Sequence, residues 1–201
     1  KSTFNVLSRD LISPNKNKKK SRGNDIEFSD FESLAAKKYI EENRAFSDSS
    51  ALKVYYSKEK ILNKYKLSNN LANSLYQMSE KIRYECIGSK KYLGIKNNIV
   101  NYYLNKFESV KEPKNKGDTS VSQAFEIYLV SKFFELNLNN KNQKVLNFWK
   151  KDFDKEFEEY EDLLKTNMEN QDFFNKNFSE IINRIKSLKE DTTKDNKDSE
   201  Q

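Results

Sequence analysis

Histidine is absent from this 201-residue chain, and cysteine occurs once, as Cys86. Zinc centres of the usual nitrogen–sulfur type, Ser–His or Cys–His nucleophiles and an intrachain disulfide framework are therefore excluded within it. The lone Cys86 is expected to pack as a small apolar group, and such sparse cysteine suits a reducing, cytoplasmic setting. Glycine (4) and proline (2) are scarce too. A turn-rich β fold needs both at its corners, so long helices are expected instead. No Gly-Lys-Ser or Gly-Lys-Thr occurs, which removes the loop that cradles nucleotide phosphates. No apolar run approaches the ~20 residues of a membrane span. The first basic run follows the apolar residues instead of preceding them, the reverse of a signal peptide.

What remains is polar and aromatic. Hydrophobic residues make up 35 % and charged residues 34 %, yet 14 Phe and 11 Tyr are present. Large rings bury much area each, so a single packed domain is within reach of this composition. The net charge of +6 admits an anionic partner. Lys and Asn recur throughout, however, and lysines scattered over helix surfaces are ordinarily solvated faces. The charge is also too dispersed, and too free of recognition motifs, to make nucleic acid the favoured partner.

Along the chain, residues 1–28 read as an irregular basic segment. Its run Lys16–Arg22 is either an anion-binding contact or a solvated loop. Residues 29–189 read as one all-α domain of six to seven helices, and 190–201 as a disordered charged tail. Ser29 with Glu32 resembles a capping box opening a helix over 30–43. Ser47 or Asp48 would cap a second, 48–65, with Ala51, Leu52, Tyr55 and Leu62 inward. Ser68 would cap a third over 69–86, and a fourth would span 92–107. After the loop 112–118, a helix to about Leu136 turns Val121, Phe125, Tyr128, Leu129 and Phe133 inward. Asn139–Asn142 breaks the pattern. Residues 143–168 carry the longest periodic stretch, including Trp149, Phe153 and Phe157, read as core. The last helix spans 170–189. The acids between Asp152 and Asp162 read as a solvated face, since hard cations want oxygens converging from a loop.

The stretch 80–99 organises the chain. Leu71, Leu75, Met78 and Ile82 share a helix face leading into it. Gly88 fits the left-handed residue that ends a helix, and Gly94 precedes a second periodic run. This predicts helix, tight connector, helix, with Lys90 and Lys91 in the connector. Glu80 and Arg83 are spaced to pair, while Glu85 projects from another side. The cluster either recognises a partner or fastens the third helix to a neighbour.

Arg83, Glu85, Ile87, Gly88, Lys90, Lys91, Gly94, Ile95, Asn98 and Ile99 resemble the segment R-x-E-x-I-G-x-[RK]-[RK]-x-x-G-[VI]-x-x-N-[LI] of the CobT subunit of aerobic cobaltochelatase. Asp48–Lys53 resembles that family's A-D-x-x-A-L-R, Asn147–Trp149 its N-L-W, and Gln171–Phe174 its D-Q-x-x-F. The family shows a His just after A-L-R, where this chain has Ser57. The resemblance runs from about Phe31 to Leu188. It implies a non-catalytic, chaperone-like subunit that works with an AAA+ ATPase, CobS. Together they drive CobN, the large subunit, which inserts cobalt into hydrogenobyrinic acid a,c-diamide during cobalamin synthesis. That is ligase chemistry forming a metal–nitrogen complex, with no catalytic site in this chain. ATP, magnesium and cobalt would belong to the complex, with no cofactor or metal bound by this chain and no membrane partner; self-association stays open. Relatives continue through an acidic linker into a von Willebrand A-type domain, so the chain is expected to be the family's N-terminal region or a short form. Partner-binding candidates are Glu80, Arg83, Glu85, Gly88, Lys90, Lys91, Gly94 and Asn98. The alternative is a basic helical nucleic-acid-binding module.

Overall fold

The computed structural model describes residues 26–185, with side chains from Ala36 onward. The basic run 16–22 and the tail 190–201 lie outside the residues so described. The chain divides into a unit ending at Tyr39 and a unit beginning at Ile40. In the first, the described residues are helical.

Among the described residues there are α-helices, two 3-10 turns and no strands. The α-helices are α1 (Ile26–Tyr56), α2 (Glu59–Lys64), α3 (Asn70–Lys91), α4 (Leu93–Glu108), α5 (Val121–Phe134), α6 (Asn140–Phe157), α7 (Glu161–Thr166) and α8 (Gln171–Arg184). Six of them have fourteen residues or more, and α2 and α7 have six each. The all-α expectation holds.

Side-chain caps explain four of the helix starts. Asn69, Ser120, Asn139 and Asn170 each accept a backbone N–H three residues on, opening α3, α5, α6 and α8. Asn69 therefore takes the role expected of Ser68. Glu135 ends α5 in the left-handed region, with φ 54°.

The largest departure from expectation is in α1. Ser29 lies inside this helix, and no break separates 43 from 48. Ser47 instead donates its Oγ–H to the Asn43 carbonyl at 2.8 Å, a bond a serine makes within a helix as readily as at its start. The register is set by Ala45, Ser49 and Leu52, all buried, and Tyr56, half-buried. Ala51 and Tyr55 consequently point outward, against expectation, Tyr55 being 79 % exposed.

The hub is α3, with α4, α5 and α8 packed on it and α6 closing against α5 and α8. Leu75, Tyr76 and Ile82 are fully buried there. A continuous aromatic core runs from Trp149 and Phe153 through Phe125 and Tyr128 to Phe157, Phe178, Phe174 and Phe133. Ring centroids lie between 4.7 and 6.2 Å apart, mostly tilted or edge-on, the arrangements that ring quadrupoles favour. Trp149 closes one end, its indole N–H donating to Thr119 Oγ1 at 2.8 Å. Cys86 is buried, as expected, with its Sγ 3.3 Å from the Phe133 carbonyl, and burial raises its pKa to about 11.

Candidate functional site

The 80–99 stretch follows a course that its glycines did not suggest. Gly88 does not end a helix. It sits within α3, which runs on to Lys91 and hands over to α4 through Tyr92 alone. Tyr92 is extended (φ −132°, ψ 108°), and its N–H donates to the Gly88 carbonyl at 2.9 Å. Gly88 is required for a different reason: a Cβ there would lie 2.9 Å from Leu52 Cγ and closer still to its methyls. The missing side chain lets α1 settle on α3. Lys90 and Lys91 consequently occupy the last turn of α3 and not a connector.

Arg83 is 1 % exposed and Glu80 2 %. The guanidinium forks onto the carboxylate, Nε to Oε2 at 2.7 Å and Nη2 to Oε1 at 2.8 Å. Its remaining donors reach the Met168 carbonyl (2.8 Å) and the Tyr56 carbonyl (2.5 Å). Gln171 extends the set: its amide donates to Glu80 Oε1 at 3.1 Å and to the Lys58 carbonyl at 3.2 Å, and its carbonyl accepts the Lys58 N–H at 2.7 Å. Ser57, standing where the family carries His, accepts a long bond from Gln171 at 3.4 Å. One buried ion pair thus fastens the end of α1, the α1–α2 link and the approach to α8 onto α3. The phenyl ring of Phe174 lies against the guanidinium, 5.9 Å from its centroid.

Glu85 serves a second fastening on the opposite side of α3. It is 1 % exposed. Ser49 of α1 donates to its Oε1 at 2.5 Å, and Tyr103 of α4 donates to its Oε2 at 2.6 Å. Burial first, then the neighbouring Glu85 carboxylate, raises the Tyr103 pKa well above its ordinary value. Tyr84 beside it is pushed up to about 12 by burial, though a bond to Ser49 acts the other way. A cleft of about 330 Å³ lined by Phe46, Lys53, Lys81 and Tyr102 adjoins Glu85. Each carboxylate oxygen already accepts one hydroxyl, and Lys81 Nζ lies 3.7 Å from Oε1, so Glu85 faces the cleft with its charge already partnered.

Burial therefore removes Glu80, Arg83, Glu85 and Gly88 from the surface on which they were expected to meet a partner. Asn98 is half-buried and donates to Asp48 of α1 at 2.7 Å. Lys90, Lys91 and Gly94 are exposed. Lys91 pairs with Glu169 at 2.8 Å, and that hydrogen bond raises its pKa. Among the described residues, the hydrogen-bond partner of Lys90 is the Met168 sulfur, at 3.8 Å. Sequence reasoning missed Tyr56, Met168 and Tyr103 as partners. Two are recruited through main-chain carbonyls, which leave no trace in residue type.

Three separately recognised segments converge here: Asp48 on Asn98, Ser49 on Glu85, Leu52 on Gly88, and Gln171 on Glu80. The segment around Trp149 lies apart, in the aromatic core. The acids of 152–162 are distributed among neighbours, Asp152 to Lys116, Asp154 to Tyr128 and Glu161 to Lys132 and Lys165. Burial pushes Glu161 up, and the two lysine hydrogen bonds outweigh it, leaving its pKa lowered. Among the described residues, no group of three or more Cys, Asp or Glu side chains converges as a metal site. No helix there is long and apolar enough to cross a membrane.

Fold and site together define an all-α domain whose charged motif residues mainly hold helices to one another. The profile of one protein family, described as cobalamin biosynthesis protein CobT, matches residues 3–201. The chain belongs to the CobT family, and its role lies in cobalamin biosynthesis. No curated protein and no solved structure matches it.

Proposed function

We propose that this chain is a non-catalytic, chaperone-like subunit of an ATP-dependent cobaltochelatase, acting beside an AAA+ ATPase subunit and a large chelatase subunit. Cobalt, ATP and magnesium would be handled by those partners. The observation that carries the reading is the convergence of the CobT segments on two buried fastenings in a chain with no histidine. Such an arrangement supports a rigid scaffold; it supplies no nucleophile, base or metal-ligand set. A scaffold of this kind acts through its surface. The exposed end of α3, with Lys90 and Lys91, offers positive charge to an acidic face of the ATPase.

The test is a pull-down of the folded chain with the AAA+ subunit from the same source. The wild type is expected to bind. Reversing Lys90 and Lys91 to Glu should keep the helical circular dichroism, since both side chains are exposed. It should weaken binding by a few kcal/mol if they are central contacts and by little if they sit on a rim. No binding by the folded wild type would overturn the proposal, whereas wild-type affinity in the double variant would discard only this surface.

A further inference from the structure

The cleft beside Glu85 has its polarity sorted. Ala45 and Phe46 of α1 and Ile99 and Tyr102 of α4 supply apolar surface, and Lys53 and Lys81 supply charge. Ala45 and Ile99 are buried, whereas the Phe46 ring is 73 % exposed. A second, wider cleft of about 810 Å³ shares Lys53, Lys81 and Tyr84 with the first and none of its four apolar residues. The cations therefore stand at the boundary between the two, with the apolar surface on one side of them. Their charges are not equally engaged. Lys81 Nζ lies 3.7 Å from Glu85 Oε1 and 5.5 Å from the Tyr102 ring centroid, and it balances Glu85. Among the described residues Lys53 makes no ion pair, although exposed lysines such as Lys64 and Lys116 find acids elsewhere. Two lysines against one carboxylate leave this cleft with one positive charge unmatched.

We infer that this cleft binds a small organic monoanion with a flat apolar body, in class an aromatic carboxylate. The anionic head pairs with Lys53, and Lys81 places a second cation at the same boundary. The body lies against Phe46 and Tyr102, whose rings meet a flat partner stacked or edge-on, over Ile99 and Ala45. Size agrees, since a cleft of about 330 Å³ stands at the small end of ligand sites, which run from roughly 300 to 1,000 Å³. Charge narrows the class. The unmatched lysine disfavours a cation, and Glu85, already accepting two hydroxyls, offers an ammonium head no free carboxylate. A nucleoside triphosphate carries more negative charge than one unmatched cation can balance. Every wall comes from this chain, so the site needs no partner subunit to form.

The test is fluorescence titration of the whole chain with two probes. Anilinonaphthalene sulfonate is an aromatic monoanion, and phenylnaphthylamine has the same rings without the charge. The sulfonate should bind at one per chain with a Kd on the order of tens of micromolar, ordinary for a ligand of about twenty heavy atoms. Indoleacetate should displace it competitively. Lys53→Met should weaken the sulfonate roughly fivefold, the scale of one exposed ion pair, and leave the uncharged probe unchanged. Phe46→Ala should weaken both probes, roughly threefold to tenfold, the worth of an aromatic contact. Lys155→Met, at an exposed position on α6, is the control and should change neither. Lys53 and Phe46 are both exposed, so helical circular dichroism should match the wild type in each variant. Sulfonate binding that Lys53→Met leaves untouched, or that Lys155→Met weakens as much, overturns the inference. Failure of indoleacetate to compete overturns it too, as does probe uptake that never saturates at one per chain. A chain that binds neither probe, while the AAA+ subunit protects Lys53 from acetylation, has a protein-docking face there, and that result overturns it equally.

Discussion

Adding one methyl group at position 88 tests how α1 meets α3. Gly88→Ala brings two opposed effects. Alanine is the better helix former, by about 0.5–1 kcal/mol relative to glycine. Against this, the new Cβ meets Leu52, which is 4 % exposed and has little room to turn away. Overpacking of a closed core costs typically about 1–3 kcal/mol. The net expectation is a loss of about 1–2 kcal/mol, or roughly 2–8 °C in Tm for a chain of this size. The cause can be isolated by a double-mutant cycle. Leu52→Ala alone should cost about 2–5 kcal/mol through the cavity it leaves. With that cavity in place, Gly88→Ala should become neutral or stabilising, a coupling of 1 kcal/mol or more between the two sites. Urea titrations followed by circular dichroism measure all four proteins. A Gly88→Ala protein as stable as wild type, or a loss that persists unchanged beside Leu52→Ala, would refute the packing argument.

Further expectations follow from the two fastenings. Arg83→Ala should cost about 3–5 kcal/mol by leaving Glu80 buried and unpaired. Arg83→Lys should recover little of that stability, because an ammonium cannot make the fork onto Glu80 and also reach Met168 and Tyr56; denaturant midpoints of the two variants check both statements. Alkaline stability should also decline. Tyr84 and Tyr103 hold their protons in the fold beyond the ordinary tyrosine value, so the unfolded chain ionises first. The stability they contribute is complete below about pH 10 and is lost as pH rises above it, at up to about 1.4 kcal/mol per pH unit for each tyrosine. Urea midpoints across that range, compared with Tyr84→Phe, should show the variant's decline to be shallower.

Sequence by itself determined the class of fold and the family. Two prolines and four glycines exclude a turn-rich sheet, and the period of large apolar residues marks core faces because a helix repeats geometrically whatever it packs on. Phe125, Trp149, Phe153 and Phe157 are buried where that period put them. The pairing of Glu80 with Arg83 was equally legible, since residues three apart on a helix are neighbours. Only the tertiary structure decided what these groups are for. Arg83 takes carbonyls from Tyr56 and Met168, 27 and 85 residues away, and a main-chain acceptor looks the same in every residue. Burial of Glu85 depended on hydroxyls arriving from α1 and α4 together. Gly88 shows the distinction most simply. Glycine serves equally where a chain must turn left-handed and where two helices must touch. Sequence cannot separate the two uses, because only the second depends on a side chain, Leu52, that comes from another helix.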